Sequence, residues 1–212
     1  DMYEVSLGAD FVSKNEALEL EEHVKEGKKM TTSCCPAFVN MIKKHFPQVL
    51  DAMSTTVSPM TATGRLIKAM DPEAVCVFIG PCIAKKGEVI DSITYGGADY
   101  AMTYEELASM FEAKNIDPAD FEGEMQQGSV FGMEFSVSGG VTNAVLSTFK
   151  ERNEEIDVKV CRANGALECK KALMMLKAGK LPEDFIEGMA CVGGCVNGPA
   201  MINKSRTYMK DR

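Results

Sequence analysis

Cys191 and Cys195 are separated by three residues within Glu187-Gly188-Met189-Ala190-Cys191-Val192-Gly193-Gly194-Cys195-Val196-Asn197-Gly198-Pro199. Gly193 and Gly194 carry no Cβ, so this bend can bring backbone amides against a bulky inorganic ligand. The C-x3-C spacing is not the C-x2-C of most zinc knuckles. Two other stretches set thiols in comparable turns, Thr32-Ser33-Cys34-Cys35-Pro36 and Gly80-Pro81-Cys82-Ile83-Ala84-Lys85. Cys35, Cys82, Cys191 and Cys195 make a four-thiolate set suited to a cubane iron–sulfur cluster, whose potential depends on hydrogen bonding and burial. Cys76 lies inside an apolar run and Cys169 within a helical pattern; with Cys161 they read as small buried hydrophobes.

The elements that must carry these loops alternate between strand and helix. Met2–Leu7 reads as an opening strand, Gly8-Ala9-Asp10 as a turn, and Ser13-Lys14-Asn15-Glu16 as a capping box that starts a helix running to about Gly27. Ala17, Leu20 and Val24 share one face of that helix, and Glu16, Glu19 and His23 a neighbouring one. Met30–Ser33 is a β-like approach to Cys34 and Cys35. Pro36 suits the first turn of a helix to His45, and Ser58-Pro59 opens another to Met70. Ala74–Ile79 is a continuous apolar run, expected to be a strand buried on both faces that empties into Cys82. Ala98–Met102 is a further strand, Thr103–Glu106 a second capping box, and 115–140 a long covering loop. A helix over Thr142–Arg152, a strand over Ile156–Val160, a helix over Ala166–Ala178 and an apolar approach over Ile186–Ala190 follow. A basic, polar tail ends the chain. The pattern predicts an α/β fold, parallel sheets flanked by helices in two lobes, with a boundary near residue 71 and the metal cluster between them.

Composition narrows the partners. The chain has 212 residues, 45% hydrophobic and 25% charged, enough for a full core. Its net charge of −8 argues against nucleic acid and anionic membranes. No apolar run approaches the ~20 residues of a membrane span. Eight cysteines in a chain of this length point to metal or catalytic thiols in a reducing cytoplasm rather than to a disulfide framework. Fifteen methionines and no tryptophan give a soft core. The chain begins at Asp1 rather than Met, as a portion of a longer protein would.

Thr32–Pro36, Pro81-Cys82-Ile83-Ala84-Lys85-Lys86-Gly87-Glu88 and Glu187–Cys195 resemble, in order, the three signature motifs of the iron-only ([FeFe]) hydrogenase catalytic domain. The resemblance spans essentially the whole chain, 1–212. It implies an H-cluster: a [4Fe–4S] cubane joined through one cysteine to a two-iron unit carrying CO, cyanide and azadithiolate. Cys35, Cys82 and Cys191 would hold the cubane, and Cys195 would hold it and bridge to the two-iron unit. Cys34 would relay protons to the azadithiolate amine, fed by Glu16, Glu19 and Ser54. Lys85 would hydrogen-bond a cyanide, Met189 would line the pocket, and Glu88 would lie near Lys85. The implied activity is 2H⁺ + 2e⁻ ⇌ H2 in an anaerobic organism. The implied partners are a ferredoxin or accessory iron–sulfur domain, maturation proteins for the H-cluster, and a further N-terminal segment or another chain.

The chain departs from the family pattern in three places. Gly80 stands where methionine is usual, Pro199 interrupts a glycine run, and Phe38 replaces tryptophan. These changes resemble divergent, sensory-type members. Three readings compete: a hydrogenase, a low-turnover hydrogen sensor, and an iron–sulfur assembly factor holding only the cubane. A zinc-only module is a remote fourth. Cys34, Lys85, Glu16 and Glu19 favour the first two, since a plain cubane carrier needs none of them.

Overall fold

The computed structural model describes residues 1–92, 96–123 and 125–202; the basic tail lies outside them. In chain order the elements are α1 (Ser6–Lys25), β1 (Met30–Thr31), α2 (Pro36–His45), α3 (Pro59–Met70), β2 (Val77–Ile79), α4 (Ala84–Ser92), β3 (Tyr100–Met102), α5 (Tyr104–Lys114), α6 (Val130–Glu134), α7 (Gly140–Glu151), β4 (Val160–Asn164), α8 (Ala166–Lys177) and β5 (Phe185–Met189). Both sheets are parallel, one ordered β1-β5-β4 and the other β2-β3. The α/β architecture with helix-flanked parallel sheets is therefore as the sequence predicts.

The N-terminus is not. Residues 2–7 form no strand; Tyr3 makes a single bridge to Gln126, and α1 starts at Ser6. Ser13 is no N-cap but lies inside the helix, its hydroxyl donating to the Asp10 carbonyl at 3.0 Å. Tertiary packing explains the difference. Gly8 marks the crossing of α1 and α3, where a Cβ would lie 2.3 Å from Thr63 Oγ1 and 2.4 Å from the Pro59 carbonyl. Ala9 and Val12 extend the buried stripe of Ala17 and Leu20 toward the N-terminus. The packed face overrides the local capping signal.

β5 is the central strand of the first sheet and is buried along its whole length. β4 begins at Val160, where the alternation of Ile156, Val158 and Val160 suggests an end. Ile156 and Val158 pack against the core before pairing starts, and the ladder opens only where Val160 meets Phe185. The second sheet also differs from expectation. β2 is short, and Val75, Val77, Ile79 and Tyr100 stay exposed while Cys76 faces the core. Two strands bury one face only. The region 115–140 is not a bare loop: it holds α6 and a strap over 135–139. Thr103 and Glu106 do form the expected capping box, with Glu106 N–H donating to Thr103 Oγ1 at 3.2 Å and Thr103 N–H to Glu106 Oε2 at 2.8 Å.

The crossing at Gly8 makes a test of the first helix. Gly8→Ala gains helix propensity but meets a backbone carbonyl that cannot swing aside. The variant should lose about 1–3 kcal/mol of stability in urea unfolding; an unchanged or raised midpoint would show that the crossing is loose.

Candidate metal centre

Each cysteine motif leaves the carboxyl end of a parallel strand, where ligand loops of α/β sheets gather. β1 runs through Thr32 and Ser33 to Cys34 and Cys35, and Cys35 is the N-cap of α2 with Pro36 in the first turn. β2 runs through Gly80-Pro81 to Cys82, near the start of α4, where the Lys85 and Ala84 amides favour its thiolate against burial. β5 runs to Cys191, and Cys195 opens a 3-10 turn, Cys195–Asn197. The loops touch one another. Thr32 N–H donates to the Ile186 carbonyl at 2.9 Å, and Gly188 N–H to Thr32 Oγ1 at 3.2 Å. Ala200 N–H donates to the Pro81 carbonyl at 3.1 Å, which ties the C-x3-C segment to the Cys82 loop.

Cys35, Cys82, Cys191 and Cys195 face a common volume, each thiol lying within electrostatic range of the other three. Burial and mutual repulsion push Cys82 and Cys191 up and Cys195 to about 12. Binding a cluster here must displace those protons. Among the described residues, no three His, Cys, Asp or Glu side chains stand close enough to hold a single metal ion. A cubane takes four thiolates, each on a different iron, and in donor chemistry Cys35, Cys82, Cys191 and Cys195 are such a set. A Cβ on Gly80 would lie 2.6 Å from the Phe78 ring, and one on Gly188 2.3 Å from the ring of Phe38, which is fully buried.

Cys34 lies beside this set, in the core cluster that also holds Leu20, Met30, Phe135 and Met189. Burial first, then the nearby Glu16, Cys35, Glu187 and Cys195, holds its thiol well above the usual value. Glu16 is fully buried beside it, and among the described residues neither carboxyl oxygen completes a hydrogen bond. The Ser33 amide and, less, the Ser54 hydroxyl favour the anion, but by less than burial opposes it. Burial dominates and raises Glu16 from 4.5 to about 8, with Glu19 and Glu187 adding to the rise. Glu16 is thus a neutral acid at pH 7. Ser54, also buried, donates to Glu19 Oε2 at 2.6 Å, and Glu19 further accepts from Thr55 N–H at 2.9 Å and Thr56 Oγ1 at 3.3 Å. Glu19 is half-buried, so Glu19, Ser54, Glu16 and Cys34 form a file leading inward from the surface.

Lys85 is 7% exposed and pairs with Glu88 at 2.7 Å. Glu88 also accepts from the Ser58 hydroxyl, the N-cap of α3, and from Thr61 Oγ1 at 3.3 Å. The Lys85 charge reaches both Cys82 and Cys195. Lys86 pairs with Glu106. Cys76, Cys161 and Cys169 lie outside the set, Cys76 and Cys169 buried and Cys161 packed at the edge of a core cluster. One residue of the motifs went unassigned in the sequence. Glu187 is 1% exposed and accepts from Gly139 N–H at 2.6 Å, Thr142 N–H at 2.8 Å and Thr142 Oγ1 at 2.7 Å. Its only sequence signal is a charged residue inside an otherwise apolar strand.

The buried acid has a thermodynamic signature. Glu16 titrates higher in the folded than in the unfolded chain, so folding takes up a proton. Its contribution is greatest below about pH 4.5 and is lost as pH rises to about 8. Glu16→Gln should match the wild type near pH 4 in urea unfolding and exceed it by roughly 3–5 kcal/mol at about pH 8.5. A gap that does not change with pH would mean that Glu16 ionises normally.

Comparison with known proteins bears on the family and the fold. The family described as iron only hydrogenase large subunit, C-terminal domain, matches residues 1–199. Iron hydrogenase 1 of Clostridium pasteurianum is 29% identical over 93% of this chain and 42% of its own length. The periplasmic [Fe] hydrogenase large subunit of Nitratidesulfovibrio vulgaris is 31% identical over 92% of this chain and 58% of its own. The cytosolic Fe-S cluster assembly factor NAR1 of Kluyveromyces lactis is also similar, 22% identical over 88% of this chain and 55% of its own. The chain therefore spans about half the length of the curated relatives it matches. In fold it matches apo [FeFe]-hydrogenase HydA1 of Chlamydomonas reinhardtii with a TM-score of 0.76 and 23% identity, covering 98% of this chain and 71% of that one. The chain belongs to the family formed by the C-terminal domain of iron-only hydrogenases.

Proposed function

We propose that this chain holds an H-cluster and interconverts protons and molecular hydrogen, 2H⁺ + 2e⁻ ⇌ H2. Cys35, Cys82 and Cys191 would ligate a [4Fe–4S] cubane, and Cys195 would ligate it and bridge to a two-iron unit. That unit, when bound, supplies an open metal site and a pendant amine for heterolytic chemistry. One observation carries the proposal beyond iron–sulfur binding: the file Glu19, Ser54, Glu16, Cys34 ends beside the cysteine set. Cubane retention asks for four thiolates and no proton path.

Each residue then has a task. Glu19 exchanges protons with solvent, and Ser54 passes them by its hydroxyl. Glu16, neutral at pH 7, stores a proton where an anion would be expensive. Cys34 holds the last exchangeable proton before the pocket. Met189 helps to close that pocket against water. Lys85 offers an ammonium donor suited to an anionic ligand such as cyanide, and Glu88 balances its charge until that ligand is present. A cubane held by Cys35, Cys82, Cys191 and Cys195 would supply one-electron chemistry, with a ferredoxin or accessory iron–sulfur domain as the electron partner. We place the chain in a reducing cytoplasm, where thiols stay available to a metal cluster.

The second reading is an iron–sulfur assembly role with the cubane alone. Similarity to an assembly factor favours it. Infrared spectroscopy of the loaded chain separates the two: CO and cyanide bands are expected, and four irons per chain without such bands would favour assembly. Hydrogen evolution with reduced methyl viologen then divides enzyme from sensor. Cys34→Ala should cut turnover by about 100-fold or more while keeping the four irons and the cubane absorption. Loss of the cubane in that variant would mean that Cys34, not Cys35, is the ligand.

A further inference from the structure

Glu187 is a buried carboxylate satisfied entirely by uncharged donors. Gly139 and Thr142 give it three hydrogen bonds at the N-terminus of α7, where the helix dipole favours an anion. Gly139 is more than a cap. Its φ of +90° belongs to the left-handed region, and there the chain turns from the strap over Ser136–Ser138 into α7. The strap lies on the C-x3-C loop. Ser138 N–H donates to the Gly193 carbonyl at 3.1 Å, Val196 N–H donates to the Ser136 carbonyl at 3.3 Å, and Val137 bridges Gly194 antiparallel. The fit is close: a Cβ on Gly194 would sit 2.4 Å from the Ser136 carbonyl oxygen and 2.7 Å from the Ser138 nitrogen. On the opposite side Gly193 N–H donates to Asn164 Oδ1 at 2.6 Å. The loop that carries Cys195 is thus clamped between β4 and the strap.

We propose that Glu187 is the positioning residue of the Cys195 loop: its carboxylate fixes Gly139 and Thr142, these fix the strap, and the strap fixes Gly193–Val196. The link to catalysis rests on the reading of Cys195 as a cluster ligand; the mechanical link does not. The brace is also economical in sequence, since Glu187 and Cys191 leave the same strand. Displacement of the strap would be felt first by Gly194 and Cys195.

Amide hydrogen exchange on the full, metal-free chain tests the brace without any cofactor. In Glu187→Gln, which removes the charge at nearly constant volume, exchange should quicken about tenfold or more over 136–142 and over 191–197 together, with α3 and α5 unchanged. Acceleration confined to 139–142 would overturn the proposal, leaving Glu187 as a helix cap only; no acceleration would overturn it as well. If Glu187→Gln exchanges fast everywhere because it does not fold, Thr142→Val decides. It removes one donor and should show the same paired pattern more weakly, and speeding at 139–142 alone would again overturn the brace. After cluster loading, Glu187→Gln should lose iron to a chelator about tenfold faster than the wild type at an unchanged melting temperature. Iron loss at the wild-type rate would overturn the link to Cys195. A wild-type chain that takes up no four-iron cluster would refute the iron–sulfur reading instead, and the exchange pattern would still decide the brace.

Discussion

The pairing of β1 with β5 is the contact on which the metal centre depends. It consists of two residue pairs, Met30 with Phe185 and Thr31 with Ile186. So short a ladder cannot hold itself in water. Its strength comes from the side chains: Met30, Phe185 and Ile186 are fully buried, each contributing about 1.5–3 kcal/mol by leaving water. Thr32 then extends the register with two more hydrogen bonds. Cys34 and Cys35 are thereby brought beside the loop of Cys191 and Cys195, although most of the chain lies between them. The thiols do not assemble the site; the apolar core places them, and burial keeps them protonated until a ligand displaces those protons.

Two carboxyl groups show how the surroundings divide the work of one residue type. Glu16 and Glu187 are buried to nearly the same degree. Glu187 receives three donors, and Glu16 completes no hydrogen bond. Glu187 therefore serves as a fixed anchor, and Glu16 becomes a movable-proton group with its titration near neutrality. The anion at Glu187 also adds to the rise at Glu16. Both carboxyl groups thus act on the same Cys34, one held in place by its donors and the other kept neutral by burial.

The sequence displays what depends on local chemistry. Cysteines in glycine- or proline-marked turns, Pro36 at a helix start, and the Thr103–Glu106 box were all legible, because a cap or turn is made by neighbours in the chain. What failed depends on distant partners. Gly8 looks like a turn because nothing nearby reveals that Thr63 and Pro59 press against it. Ser13 and Glu16 have capping-box spacing, yet the buried stripe carries α1 well past them. An apolar run such as Ala74–Ile79 signals a strand but does not tell how many neighbours cover it; here several of its side chains remain exposed. Glu187 could not be assigned, since its donors lie more than forty residues upstream.

The choice between a hydrogen-converting site and a plain cluster carrier turns on what the fold tolerates. A carrier needs four thiolates and a core. This chain also keeps a fully buried carboxyl without a hydrogen bond, an arrangement that opposes folding above its unfolded pKa and that a neutral side chain would relieve. Unsatisfied buried polar groups are few in native proteins and collect where function requires them. Glu16 stands between a serine tied to a surface glutamate and a cysteine that the cluster set leaves over. Structure alone gives such a residue no use. The proposed proton path would give it one, since that path requires an acid both sequestered and able to change its charge.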